Sequence, residues 1–169
     1  ALLEREERLT RVRIQAGVPV HTFWDLGESD STAIWFVQIV GLEYRIVDFY
    51  QSHGEKMPHY IETLASKGYN YGEHCLPHDA EHNQLAAKSS IKKQLQTAIE
   101  NNPKLGELVR IVPRTPKKAL AIESARDIFG QCVFDRDKCN DGLKMLKRYS
   151  YSRDAVSGRV GKQPKHDIY

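Results

Sequence analysis

Apolar residues in the first third of the chain follow the pattern of β-strands. Residues 18–26, 33–40 and 43–50 form three apolar-rich runs, and only short polar turns separate them. Strands with such short connections pair antiparallel, because a crossover to a parallel neighbour needs a dozen or more residues. The pattern therefore predicts a three-stranded antiparallel meander.

The pattern then changes to helices that alternate with strands. Apolar residues at helical spacing predict helices over residues 55–67, 83–101, 115–129 and 137–149. Strands are predicted over residues 71–77 and 107–113, and a short extended piece over residues 131–134. Thr115, followed by Pro116, has the residue types of a helix start, so we expect it to cap the third helix.

This order of elements constrains the sheet. A meander followed by alternating helices and strands cannot form a purely parallel sheet. It predicts an α/β fold, with a mixed five-stranded sheet of three meander strands and two parallel strands, flanked by helices. In such a sheet the first strand is central and the fourth pairs beside it in parallel. The ends of these two strands are then neighbours.

Two acids lie at those neighbouring strand ends. Asp25 comes where the first strand ends, just before Gly27, and Asp79 follows the fourth strand. Carboxylate oxygens are the ligands that Mg²⁺ prefers in proteins. The sequence therefore predicts a divalent-metal site held by Asp25 and Asp79. The alternatives are ordinary capping roles, in a turn for Asp25 and at the start of the following helix for Asp79.

Other polar residues near these acids have less specific interpretations. Asp30 lies across the turn from Asp25 and is either a further partner of the metal site or a plain turn residue. His78 is expected to flank the site. The spacing of His74, His78 and His82 suggests zinc, but the segment runs from a strand into a turn, so helical spacing does not apply to it.

Composition and charge narrow the class of protein. The chain has 169 residues, 40% of them apolar and 28% charged, which is typical of one globular domain. It contains no apolar run that could span a membrane and no signal-peptide pattern. Cys75, Cys132 and Cys139 lack metal-type spacing, so we interpret them as reduced thiols of a cytosolic protein.

Basic residues cluster in the second half of the chain, although the net charge of +3 is mild. Phosphate contacts from such residues give salt-dependent, sequence-independent binding of nucleic acid. An ordinary solvated surface is the alternative. Residues 150–169 are predicted as an exposed loop, hairpin or tail. The residues that we expect to contact DNA are Arg114, Lys117, Lys118, Arg153, Arg159 and Lys162.

Four segments together carry a family resemblance. They are FWDLGESDSTAI at residues 23–34, CLPHDA at 75–80, VRIVP at 109–113 and TPKKALAIESAR at 115–126. Their combination resembles the C-terminal nuclease domain of the large terminase subunit of tailed phages, a member of the ribonuclease H/retroviral integrase-like superfamily. The resemblance covers roughly residues 18–169.

The resemblance implies a fold, an activity and partners. The fold is RNase H-like, and the activity is that of an endonuclease using Mg²⁺ or Mn²⁺, with two ions, to cut concatemeric double-stranded viral DNA. The partners are double-stranded DNA, an ATPase motor domain, the portal and the small terminase subunit, in the host cell cytoplasm. The motor needs a Gly-rich phosphate loop ending in Lys-Ser/Thr, which this chain lacks. Residues 1–17 are therefore expected to be a lead-in from a separate ATPase domain, and residues 18–169 the nuclease domain.

The resemblance also implies a third acid, in a segment with a nearby histidine. Asp167, next to His166, is the candidate. The alternative is that Asp167 lies just before the family's third acid, and that the domain continues past residue 169.

Three other functions stay open on the sequence. The same fold serves nucleases of the Holliday-junction resolvase or transposase type, which junction substrates would distinguish. A catalytically silent DNA-binding or docking module would show salt-sensitive DNA binding without metal-dependent cutting. An α/β domain with an unrelated role is the third.

Overall fold

The computed structural model describes residues 6–27, 31–84, 89–148, 151–153 and 160–164, and a seven-stranded mixed sheet forms its centre. The sheet order is β1-β9-β4-β3-β2-β5-β8, with two separate two-stranded ribbons, β6-β7 and β10-β11. The strands are β1 (Leu9–Thr10), β2 (Val20–Leu26), β3 (Ser31–Val40), β4 (Glu43–His53), β5 (Tyr71–Pro77), β6 (Asn83–Gln84), β7 (Ser89–Ser90), β8 (Leu108–Val112), β9 (Cys132–Asp135), β10 (Tyr151–Arg153) and β11 (Val160–Pro164).

The five predicted strands are present in the predicted arrangement. β2, β3 and β4 pair as an antiparallel meander, and β5 and β8 extend the sheet in parallel from β2. The predicted number of five strands is wrong, because β9 pairs in parallel with β4, and β1 with β9. β9 overlaps the short extended piece predicted over residues 131–134, which was not placed in the sheet, and β1, two residues long, is too short to show an alternation.

Within the described residues the helices are α1 (Met57–Lys67), α2 (Ile91–Asn101), α3 (Lys118–Phe129) and α4 (Asn140–Arg148). The predicted start of the second helix at residue 83 is wrong. Its N-terminal part forms β6 and β7, and Ser90 Oγ accepts the Lys93 amide at 3.2 Å to cap α2. The predicted cap at Thr115 is also wrong, since α3 begins after Lys117 without a side-chain cap.

Each face of the sheet has its own core. On one face, α1 and α2 cover a large core that includes Trp24, Ile34, Phe36, Leu64 and Leu95. On the other face, α4 covers a smaller core at the β4–β9 side that includes Phe49, Phe134 and Leu143. Trp24 is buried, and Trp35 is half-buried, with its ring 4.5 Å from that of Phe49.

The second face stays open over β2, β5 and β8. Phe23, Leu108 and Val112 are about two-fifths exposed there. Alternation along each strand places these side chains on the face opposite the large core. This open strip of sheet leads to the end of β2 where Asp25 lies.

Residues 8–12 of the N-terminal segment are packed onto the sheet. Leu9 and Thr10 pair with β9, and Val12 is buried. The connection of this segment to an ATPase domain stays a prediction. At the other end, β10 and β11 pair antiparallel, which is the hairpin among the forms predicted for the tail.

The three cysteines are free and buried. No helix in the described ranges is both long and apolar enough to cross a membrane.

Candidate active site

Asp25 lies at the end of the central strand, on the open face of the sheet. Along β2 the buried side chains Val20, Thr22 and Trp24 alternate with more exposed ones, so Asp25 points away from the large core and is exposed. The chain turns directly after it. Gly27 donates its amide to the Ser31 carbonyl at 2.6 Å, and a Cβ on Gly27 would lie 2.9 Å from that oxygen. Only glycine allows this tight turn beside Asp25.

The second acid follows the neighbouring strand. β2 and β5 are parallel with Phe23 opposite Cys75, so Asp25 is level with Pro77, the last residue of β5. His78 and Asp79 come next, in a 3₁₀ turn spanning His78–Glu81, and both are exposed. The structure therefore brings the ends of the two predicted strands together. The alternative role of Asp79 as a helix cap is not observed, since Ser90 caps α2.

A cleft of about 830 Å³ opens at this end of the sheet. Its polar lining includes Asp25, His78 and Arg114, and its apolar lining includes Phe23 and Val112. Asp79 follows His78 in the chain but is not one of the lining residues. The loop at residues 113–116 and Ala121 of α3 form another side of the cleft. Asp25 thus faces a space large enough for a segment of a polymer.

The donor set in this region suits a hard divalent cation. Neither the Asp25 nor the Asp79 side chain has a hydrogen bond or ion pair to another described residue, so their oxygens are available. Free carboxylate oxygens are the donors that Mg²⁺ and Mn²⁺ take. Among the described residues no group of three His, Cys, Asp or Glu side chains forms a complete metal site. Asp30 and Asp167 lie outside the described residues.

The basic residues predicted to bind DNA divide into three groups. Arg114 lines the cleft, and Lys117 is exposed just before α3. Lys118 is the first residue of α3, and Arg153 and Lys162 lie in the β10–β11 hairpin. For these three residues the structure describes the backbone alone. Arg159 lies outside the described residues. The structure therefore places one of the six at the cleft and a second near it.

Cys75 also lines the cleft but is not suited to act as a nucleophile. Burial raises the pKa of its thiol, and the nearby Glu73 carboxylate adds to that rise. A thiol with a raised pKa carries little thiolate near neutral pH. Next to it, Arg110 binds Glu73 through two 2.7 Å hydrogen bonds, which lowers the pKa of that carboxyl group.

A buried hydrogen-bond chain supports the two strands from the opposite face, and sequence reasoning missed it. Trp24 Nε1 donates to Thr22 Oγ1 at 2.7 Å, and Thr22 Oγ1 lies 2.6 Å from His74 Nδ1. His74 Nε2 lies 2.6 Å from the Leu105 carbonyl. Both nitrogens of His74 are thus engaged, which leaves neither for a metal. The sequence did contain one indication of this hydrogen-bond chain, because the polar Thr22 lies on the same side of the strand as the apolar Val20 and Trp24.

Comparisons with solved structures agree on the fold. The nuclease domain of the P22 large terminase matches with a TM-score of 0.60 and 15% identity, over 94% of this chain and 81% of that one. The large terminase nuclease domain of bacteriophage SPP1, with bound Mn, matches with a TM-score of 0.61 and 9% identity, over 94% of this chain and 86% of that one. This chain has the RNase H-like fold of large-terminase nuclease domains.

The fold of terminase nucleases extends beyond phages. The human cytomegalovirus terminase nuclease domain matches with a TM-score of 0.53 and 13% identity, over 85% of this chain and 83% of that one. The large terminase of the thermophilic bacteriophage D6E matches with a TM-score of 0.62 and 11% identity over 96% of this chain. This chain spans 39% of the D6E protein. No family model and no curated protein matches the sequence.

Proposed function

We propose that this chain is the divalent-metal-dependent endonuclease domain of a viral DNA-packaging terminase, which hydrolyses phosphodiester bonds of double-stranded DNA. The observation that carries the proposal is Asp25, an exposed carboxylate facing an 830 Å³ cleft at the end of the central strand. The terminase nuclease fold supports the same reaction class, and the SPP1 domain of that fold holds Mn.

In this proposal Asp25 and Asp79 hold Mg²⁺ or Mn²⁺. Two bound ions supply an activated water and stabilise the leaving oxygen of phosphodiester hydrolysis. Asp25 is held by its pairing with Ala33 on β3, and the pairing of β2 with β5 reaches Phe23, two residues before it. Asp79 sits on a 3₁₀ turn whose end is closed by the His82 amide donating to the Asp79 carbonyl at 3.0 Å. Asp167 stays the predicted third acid.

Basic and neutral side chains around the acids hold the DNA. The Arg114 guanidinium is placed to bind phosphate oxygens, since its forked donors match a phosphate. His78 lines the same cleft and can donate a hydrogen bond to a phosphate oxygen. Lys117, Lys118, Arg153, Arg159 and Lys162 are proposed to bind the backbone farther from the scissile bond. Such contacts carry no sequence information, so we expect affinity to depend on salt rather than on sequence.

The biological setting follows from the same proposal. The D6E large terminase is longer than this chain and has been solved in complex with ADP and with ATP-gamma-S, which supports an ATPase domain as the partner within one protein. The portal and the small terminase subunit are the further proposed partners, and the host cell cytoplasm is the proposed location.

The test is plasmid cleavage in Mn²⁺, Mg²⁺ or EDTA by the wild-type chain and by Asp25→Asn. Asp141→Asn is the matched control, because Asp141 is an exposed carboxylate on α4, outside the cleft lining. The proposal expects cutting that needs metal, is lost in Asp25→Asn and persists in Asp141→Asn.

Other outcomes identify the rival functions. DNA binding without cutting under any metal condition would contradict the nuclease and support a silent docking module. Preference for four-way junctions over linear duplex would point to a resolvase. Absence of both binding and cutting would leave only the fold in common with terminases.

A further inference from the structure

Helix α3 is held mainly at its C-terminal end. None of the side chains from residue 119 to 129 is buried, and the large apolar Leu120 and Ile128 are more than two-fifths exposed. Phe129, the last residue of the helix, is the one that packs against the smaller core, where its ring lies 5.7 Å from that of Phe134. The helix therefore has one anchored end and one weakly supported end.

Arg8 from the N-terminal segment occupies the anchored end. Its guanidinium donates to the Phe129 carbonyl and, at 3.2 Å, to the Cys132 carbonyl. It also lies 5.5 Å from the centre of the Phe129 ring, and its side chain is only 12% exposed. The last carbonyls of a helix lack partners within the helix and carry partial negative charge, so a buried guanidinium stabilises them.

The backbone around Arg8 cannot shift independently of the sheet. The Arg8 carbonyl accepts the Phe134 amide at 2.8 Å, and the Thr10 carbonyl accepts the Arg136 amide at 2.7 Å. Farther on, the buried Asp135 carboxylate accepts the Val12 amide at 2.9 Å. Hydrogen bonds at Arg8, Thr10 and Val12 thus fix the segment to residues 134–136, and the Arg8 side chain connects that fixed segment to α3.

The other end of α3 borders the cleft. Ala121 lines the cleft together with Asp25, and residues 113–116 lead into the helix along the same wall. A twelve-residue helix is a rigid rod about 18 Å long. A small change in tilt at Phe129 therefore becomes a larger displacement at Ala121, which changes the width of the cleft.

We propose that Arg8 is a positioning residue that fixes the tilt of α3 through the Phe129 carbonyl and so sets the width of the Asp25 cleft. This inference rests on the proposed nuclease function. It predicts that loss of Arg8 lowers the affinity for DNA and so raises KM. It leaves kcat unchanged, because the carboxylates at the ends of β2 and β5 do not move.

The experiment compares Arg8→Gln with Arg13→Gln, which removes the same charge from an exposed position of the same segment. Two measurements need no DNA. Hydrogen–deuterium exchange reports on α3, and alkylation of Cys75 by iodoacetamide, followed by mass spectrometry, reports on the cleft that Cys75 lines. Cys139, fully buried in the smaller core, is the internal control.

In Arg8→Gln we expect exchange of the α3 amides to be about tenfold faster, the scale of one charged hydrogen bond lost. Cys75 should be alkylated several-fold faster, while Cys139 stays unchanged. Arg8→Lys should restore part of the protection, because it keeps the charge but not the two-carbonyl fork. Arg13→Gln should behave as the wild type in every measurement.

Several results would overturn the proposal. Unchanged α3 exchange in Arg8→Gln would show that the contact does not hold the helix. Faster α3 exchange with unchanged Cys75 alkylation would show that the helix does not set the cleft. Faster exchange in all strands as well would make Arg8 a general structural residue. A wild type that neither binds nor cuts DNA would reject the nuclease function, and the two DNA-free measurements would still decide the role of Arg8.

Discussion

Thr22 Oγ1 and His74 Nδ1 lie 2.6 Å apart in the buried interior, where they join β2 to β5 three residues before Asp25. The hydrogen bonds along this chain have one consistent direction. Trp24 donates to Thr22, and His74 donates from Nε2 because the Leu105 carbonyl can only accept. Burial lowers the pKa of His74 and favours the neutral ring, so its Nδ1 accepts from Thr22. This direction requires a neutral His74 with its proton on Nε2. The two strands that carry the site are therefore connected by a satisfied polar network.

Replacing Thr22 with valine should destabilise the fold. The change keeps the side-chain volume but leaves Trp24 Nε1 and His74 Nδ1 buried without partners, at a cost of about 1–3 kcal/mol for each group. We expect the free energy of unfolding, measured in urea, to fall by about 2 kcal/mol or more. Thr97→Val, at an exposed position of α2, is the control. Equal stability of the Thr22 and Thr97 variants would contradict the network.

Stability should fall in mild acid because of His74. Burial lowers the pKa of His74 from its ordinary value of 6.5, so below that value the unfolded chain binds a proton that the folded chain does not. The His74 contribution is fully present above pH 6.5 and is lost as the pH falls from there toward the folded pKa. Urea unfolding between pH 8 and pH 5 should show a smaller pH dependence in His74→Gln than in the wild type. Parallel curves would show that His74 is not the titrating group.

The ion pair between Asp48 and Lys67 should be costly to break from one side. Lys67 Nζ lies 2.5 Å from Asp48 Oδ2, and the Asp48 side chain is only 7% exposed. Lys67→Met leaves a buried carboxylate whose remaining donors, among the described residues, are the Tyr69 hydroxyl and the Phe49 backbone amide. We expect the free energy of unfolding to fall by about 2–4 kcal/mol. This is less than the loss expected for a fully buried pair, because Lys67 is partly exposed. Lys93→Met, exposed on α2, is the control, and adding Asp48→Asn to Lys67→Met should recover part of the loss.

Arg114 and Lys117 should contribute to DNA affinity through phosphate contacts. Arg114→Gln and Lys117→Gln should each lower the slope of log K against log salt by about one unit, without changing sequence preference. Fluorescence anisotropy on a linear duplex measures both effects. Lys104→Gln is the control, because Lys104 precedes β8 and Arg114 follows it, so they lie at opposite ends of that strand. The same slope in all three variants would argue against this DNA-binding surface.

The sequence predicted the elements that local patterns specify. β5 was predicted at its observed bounds, because the break at Gly68 and the turn at His78 limit a short apolar run. The position of Asp25 beside the end of β5 followed from topology alone, since a meander followed by a crossover places the first and fourth strands side by side.

The remaining features depend on contacts distant in sequence. β1 pairs with β9 through residues more than 120 positions apart, so their pairing has no local signal, although β9 overlaps the extended piece predicted over residues 131–134. Arg8 at the end of α3 and His74 under the site are likewise defined by partners that periodicity does not indicate. The start of α2 was misplaced because residues 83 and 84 have helix-compatible composition but pair with Ser89 and Ser90 instead.

The claim that Asp25 and Asp79 form one metal-dependent centre is tested most directly at Asp79. The measurement is the rate of Mn²⁺-dependent plasmid cleavage by Asp79→Asn and by Glu81→Gln, an exposed carboxylate on the same 3₁₀ turn. A centre built on both acids predicts a loss of about 100-fold or more in Asp79→Asn, at or above the roughly 10–100-fold loss typical of removing a group that only supports a metal ligand, and a wild-type rate in Glu81→Gln. Cleavage by Asp79→Asn at the wild-type rate would contradict the two-acid centre.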